Sequence, residues 1–164
     1  MENPFETEKA VRPTFLTVLC ILTFIGSGWG TVSNLFSLIA FSPEAIVAQI
    51  QQITTMTATE GSPSWLSSIV GSSIEVLQTS IKHGTAIYSL LTLFSLMSLG
   101  GAILMFRLKK IGFYLYAVAQ IAQLFVLPMY SGWNVVVMAS MIASGIFAVL
   151  FIILYGVNLG KMNN

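Results

Sequence analysis

The chain has 164 residues, of which 55% are hydrophobic and only 8% charged, where soluble domains carry about 25% charged residues. Seven Lys and Arg, six Glu, one His and no Asp give a formal net charge of +1. That composition excludes an ordinary soluble globular protein, a disordered segment and a nucleic-acid binder, and it makes the lipid bilayer the expected partner.

The length suits one membrane domain over residues 1–164. Lys9 and Arg12 precede the first apolar stretch, as a signal peptide would require. That stretch continues from Phe15 to Phe41, too long for a signal core, and no A-x-A-like site closes it. An uncleaved first span over about residues 14–36 is therefore expected, since a helix needs about 20 apolar residues to cross a ~30 Å hydrocarbon core. Cys20 lies inside this run; a single cysteine excludes an internal disulfide and a Cys-based metal site, and here it reads as a small hydrophobe. Leu19 before it is not the small residue that a lipidated cysteine follows. Gly26 and Gly30, four apart on one face, allow a neighbouring helix to come close, and Asn34 adds a polar side chain further on.

Residues 42–83 form the long connection. Ser42-Pro43-Glu44 carries a helix-start signal: Ser as N-cap, Pro at the first helical position, Glu in the first turn. Ile46, Val47, Ile50 and Ile53 follow at helical spacing, opposite Gln49, Gln51 and Gln52. A polar break from Thr54 to Glu60 ends in Gly61-Ser62-Pro63, a second start signal. Behind it Leu66, Ile69, Val70, Ile74, Leu77 and Ile81 make another stripe. The expectation is two amphipathic helices joined by a Thr-rich turn, resting on the bundle, in the headgroup layer or on a partner.

Three further spans are expected at about 84–106, 111–129 and 133–157, none containing an acidic or basic residue. Gly100 and Gly101 in the second, and Ser140, Ser144 and Gly145 in the fourth, extend the pattern of small-residue packing faces. Gln120 and Gln123 in the third share a helix face about mid-membrane, where amides need partners. With Asn34 they form the candidate polar site inside the bilayer. Their alternatives are hydrogen bonds across helices, for example to Ser95, Ser98 or Ser140. Pro128 marks the outer end of that span. His83, beside Lys82, reads as a polar anchor at the membrane edge.

Lys9, Arg12, Arg107, Lys109, Lys110 and Lys161 share one side if four spans are crossed, leaving Lys82 alone on the other. By the positive-inside rule both termini are cytoplasmic. Tyr130, Trp133, Trp29 and Trp65 are then expected near the outer boundary. The fold class is thus an all-α integral membrane four-helix bundle with an extracytoplasmic amphipathic helical hairpin between spans one and two.

The sequence offers no buried carboxylate, no Cys or His pair, no metal-ligand cluster and no Gly-rich phosphate loop. No catalytic residue, cofactor or metal is expected. Residues 12–20 (RPTFLTVLC), four spans and Lys109-Lys110-Ile111-Gly112-Phe113 resemble small four-span bacterial inner-membrane proteins. The resemblance implies no activity and transfers no site. The function expected is a non-enzymatic accessory, scaffold or interaction subunit, with a membrane-protein partner or further copies of itself. The alternative is a homo-oligomeric channel or transporter for a small solute, its path lined by Gln and Ser.

Overall fold

The computed structural model describes residues 14–57 and 63–161, and these are helical almost throughout. Five helices follow in order: α1 (Thr14–Ile39), α2 (Pro43–Thr57), α3 (Ser64–Phe106), α4 (Ile111–Ser131) and α5 (Val135–Val157), with a short 3-10 turn at Leu159–Lys161. Helices α1, α3, α4 and α5 are each long and apolar enough to cross a membrane. Lys9, Arg12, Glu60 and the Gly61-Ser62 start signal lie outside the described residues.

The second helix starts where the sequence predicts. The Ser42 hydroxyl accepts from the Ala45 backbone N–H at 3.3 Å and donates to the Glu44 carboxylate at 2.8 Å. Its own backbone N–H and the Ser42 hydroxyl hold the Glu44 carboxyl below the usual carboxylate range. The expected polar break at Thr54 does not open there, because the helix runs on to Thr57. Thr54 and Thr57 turn their hydroxyls back onto the Ile50 and Ile53 carbonyls, at 2.8 and 2.7 Å, which satisfies them within the helix. Ile46, Ile50 and Ile53 form the half-buried face of α2, whereas Val47 stays exposed.

The largest departure from expectation is α3. The predicted outer helix and second span are one unbroken helix of 43 residues, about 65 Å at 1.5 Å per residue. Lys82 and His83 do not interrupt it, since a charged or polar side chain on a helix face removes no backbone hydrogen bond. Gly84 continues it and makes room for the Phe41 ring, which would overlap a β-carbon at that position. Phe41 also meets Tyr88, with ring centroids 6.2 Å apart. Trp65 consequently sits ~27 Å along the helix from His83, which faces Tyr130, so these aromatics do not share one boundary.

At the opposite end of the bundle, Leu16, Leu19 and Cys20 of α1 pack with Ala102, Met105, Tyr116 and Tyr155. The turn between α3 and α4 folds into this cluster. Leu108 takes a left-handed conformation (φ 59°), with Lys109 N–H on the Leu104 carbonyl (3.0 Å) and Leu108 N–H on the Met105 carbonyl (2.9 Å). This is a Schellman end with leucine where glycine is usual, and the buried Leu108 side chain offsets the backbone cost. Just beyond it, α3 crosses α4 with backbones in contact. A β-carbon at Gly101 would stand 2.8 Å from the Gly112 carbonyl oxygen, and one at Gly112 2.6 Å from the Gly101 carbonyl oxygen.

The last two helices are joined by a tight turn. Helix α4 extends one turn past Pro128 and ends where Gly132 adopts φ 69°, a conformation open to glycine. Asn134 caps α5 by accepting from Val137 N–H at 3.0 Å. Its amide also donates to Glu75 at 3.2 Å, tying the first half of α3 to this turn.

Candidate functional site

The four long helices surround a cavity of about 530 Å³. Thr23, Gly26, Ser27 and Gly30 face it from α1; Leu91, Ser95 and Ser98 from α3. Tyr116, Gln120, Gln123, Leu124 and Pro128 line it from α4, and Ser140, Met141, Ser144, Phe147 and Phe151 from α5. Its polar groups are all uncharged hydroxyls and amides.

Helical spacing explains how a largely apolar chain assembles this wall. On α1 the positions 23, 26, 27 and 30 fall on one side, where side chains three and four residues apart are neighbours. On α3 the buried residues Ser80, Gly84, Ile87, Ser95, Ser98, Ala102 and Met105 form one stripe at steps of three and four, with half-buried Leu91 filling the interval between Ile87 and Ser95. The serines let α1 approach, and their hydroxyls then serve as partners.

The polar atoms form a chain that joins all four spans. Thr23 Oγ1 and the Tyr155 hydroxyl share a hydrogen bond of 2.8 Å, linking α1 to α5. The Tyr116 hydroxyl lies beside the side chains of Thr23 and Gln120, and the Tyr116 and Tyr155 rings meet edge-on at 5.4 Å. Gln120 Nε2 donates to Ser98 Oγ at 3.1 Å, and Ser98 Oγ is 2.9 Å from Ser27 Oγ. Asn34 Nδ2 donates separately to Ser95 Oγ at 3.2 Å. In hydrocarbon such interhelical bonds contribute about 0.6 kcal/mol each, rising to ~1.7.

The structure therefore divides the candidate residues. Gln120 and Gln123 reach the same cavity, but Gln120 is engaged with Ser98 while Gln123 makes no side-chain hydrogen bond among the described residues. Asn34 reaches the cavity wall only through Ser95. Gly101 makes the close crossing with α4, whereas the β-carbon positions of Gly26 and Gly100 meet nothing within 4 Å, and that of Gly30 only Ser95 Oγ at 3.8 Å. The small face of α1 thus creates space instead of a tight seam. Ser140 and Ser144 face the same space, with hydroxyls turned to the Val137 and Ser140 carbonyls of their own helix at 2.9 and 2.6 Å.

Sequence reasoning singled out the amides and glycines but passed over Thr23, Tyr116 and Tyr155. Only their recurrence on faces that converge marks them, and convergence is a property of the bundle. Asn134 before an apolar run carried a readable N-cap signal. No protein-family model, curated protein or solved structure matches the chain.

Proposed function

We propose that this chain is a non-enzymatic integral protein of a bacterial inner membrane that acts through contacts, as an accessory, scaffold or interaction subunit. Both termini are cytoplasmic in this reading, by the six-to-one division of positive residues. The arm formed by α2 and the first half of α3 then stands on the outer face. The observation that carries the proposal is the unbroken α3, about twice the length needed to cross a bilayer. It holds an amphipathic helix pair away from the spans, and Val47, Trp65 and Ile69 remain exposed there. Trp65 and Ile69, four residues apart, share one face of α3, and exposed apolar side chains held outside a membrane favour a contact face.

The test is affinity purification of the full chain from native membranes in mild detergent, beside a Val47→Ser, Trp65→Ser, Ile69→Ser triple variant. One partner retained by the wild type and lost by the variant is the expected result. Equal recovery of every co-purifying protein would overturn the reading. The Gln- and Ser-lined cavity favours a second reading, a homo-oligomeric channel or transporter. Solute flux into liposomes that Gln120→Leu with Gln123→Leu abolishes would put that reading first.

A further inference from the structure

The cavity has a mouth, and the mouth faces sideways. Leu22 and Gly26 on α1, and Ser140, Ser144 and Phe147 on α5, line the cavity and are exposed at the molecular surface at once. Helix α1 touches α5 sparingly, and the Thr23–Tyr155 hydrogen bond marks the end where they close. Away from that bond the two helices leave a gap. In a bilayer-spanning chain a gap between two spans opens to lipid, not to water.

The interior of the cavity sets the chemistry of what it can hold. A volume of about 530 Å³ lies within the 300–1,000 Å³ typical of small-molecule sites. Its apolar wall is Leu91, Leu124, Met141 and Phe151, and among the residues lining it none is charged. A charged headgroup would stand there without a counter-charge, which hydrocarbon surroundings penalise heavily. Gln123 presents an amide with no hydrogen-bond partner among the described residues, in a place where a bare amide is costly. A carbonyl or hydroxyl oxygen on an otherwise apolar molecule would satisfy it.

We infer that the cavity is a binding site for an uncharged, membrane-dissolved lipid carrying carbonyl or hydroxyl oxygens, which enters between α1 and α5 and is held by the Gln123 amide. The site rests on the reading that the four long helices span a bilayer, and is independent of what the arm contacts. Two lipid types share this chemistry, the diacylglycerols and the prenylquinones.

Photo-crosslinking of the full chain in phosphatidylcholine nanodiscs tests it. The probes are a diazirine-bearing diacylglycerol, a diazirine-bearing prenylquinone and, as the charged counterpart, a diazirine-bearing phosphatidic acid. At least one neutral probe is expected to mark cavity-lining residues within 22–30 and 140–151, in preference to the outward-facing Ile142 and Ile146, and to be displaced by unlabelled lipid. Whichever neutral probe does so identifies the source. Gly26→Leu is the decisive variant, because Gly26 lines the cavity and a β-carbon there meets nothing within 4 Å, so the added side chain takes up space at the mouth. It is expected to lower cavity labelling about tenfold, equivalent to ~1.4 kcal/mol of binding, with gel filtration and helicity unchanged. Should that variant misfold, Ser144→Leu fills the space from the opposite wall. Labelling spread evenly over the lipid-facing surface, equal cavity labelling by phosphatidic acid, or indifference to the filled cavity would overturn the site. A chain stripped from vesicles by alkaline carbonate would overturn the spanning reading and the site together. An inserted chain with unlabelled cavity walls overturns the site alone.

Discussion

Single positions in this bundle differ sharply in what they tolerate, and glycine shows it best. Gly112 and Gly101 bring two backbones together, so a β-carbon at either must force α3 and α4 apart. Gly112→Ala is expected to destabilise the fold by about 1–3 kcal/mol, as overpacking does, in a steric-trapping unfolding assay. Gly100→Ala points into open space and is expected to be neutral or to stabilise by up to about 1 kcal/mol, through helix propensity alone. Equal costs at the two positions would contradict the crossing. The sequence displayed both glycines of the Gly100-Gly101 pair but not which one faces a helix, because the partner Gly112 lies across a turn and belongs to another element. The amides were more legible: Gln120 in an apolar run must find a partner, and Ser98, one of the three serines expected, receives it. Thr23 was illegible for the opposite reason. A hydroxyl within a helix commonly bonds its own backbone, as Thr31 does to the Ser27 carbonyl at 2.7 Å, so nothing in the sequence announces an interhelical bond.

Elements were legible where local chemistry governs them. Four long apolar runs and the Ser42 cap appear as expected, since each is set by neighbouring residues. Ser42→Ala is expected to raise the Glu44 pKa part of the way to the ordinary carboxylate value, the bond to its own backbone N–H remaining. A depressed folded-state pKa means that the stabilisation from ionised Glu44 is complete above the unfolded pKa and is lost as pH falls through the folded one. Carboxyl NMR titration of the two proteins checks this, and identical titration curves would contradict the cap. The continuity of α3 was not legible. Lys82-His83 resembles a membrane edge, and an edge invites a boundary between elements, but charged and polar side chains on a helix face leave its backbone hydrogen bonds intact. Spin labels at Ser67 and Lys82 are expected to give one narrow distance of about 22 Å, fifteen residues at 1.5 Å each. A broad or much shorter distribution would restore two separate helices.

Across the whole molecule, one end is packed and the other extended. Around Leu108, Met105 and Tyr155 the four spans converge on a closed cluster, from which the cavity opens between α1 and α5. At the far end only α3 continues, carrying α2 with it and tied to the α4–α5 turn by Glu75 and Asn134. This polarity gives the proposed functions separate places: contacts on the arm, a neutral lipid among the spans. The first depends on which side of the membrane the arm occupies. The most direct test is cysteine labelling in intact cells with a membrane-impermeant maleimide, in a Cys20→Ser background. Thr57→Cys is expected to react from outside, and Lys109→Cys to react only after the cells are opened; the reverse pattern, or reaction of both from outside, would contradict the account.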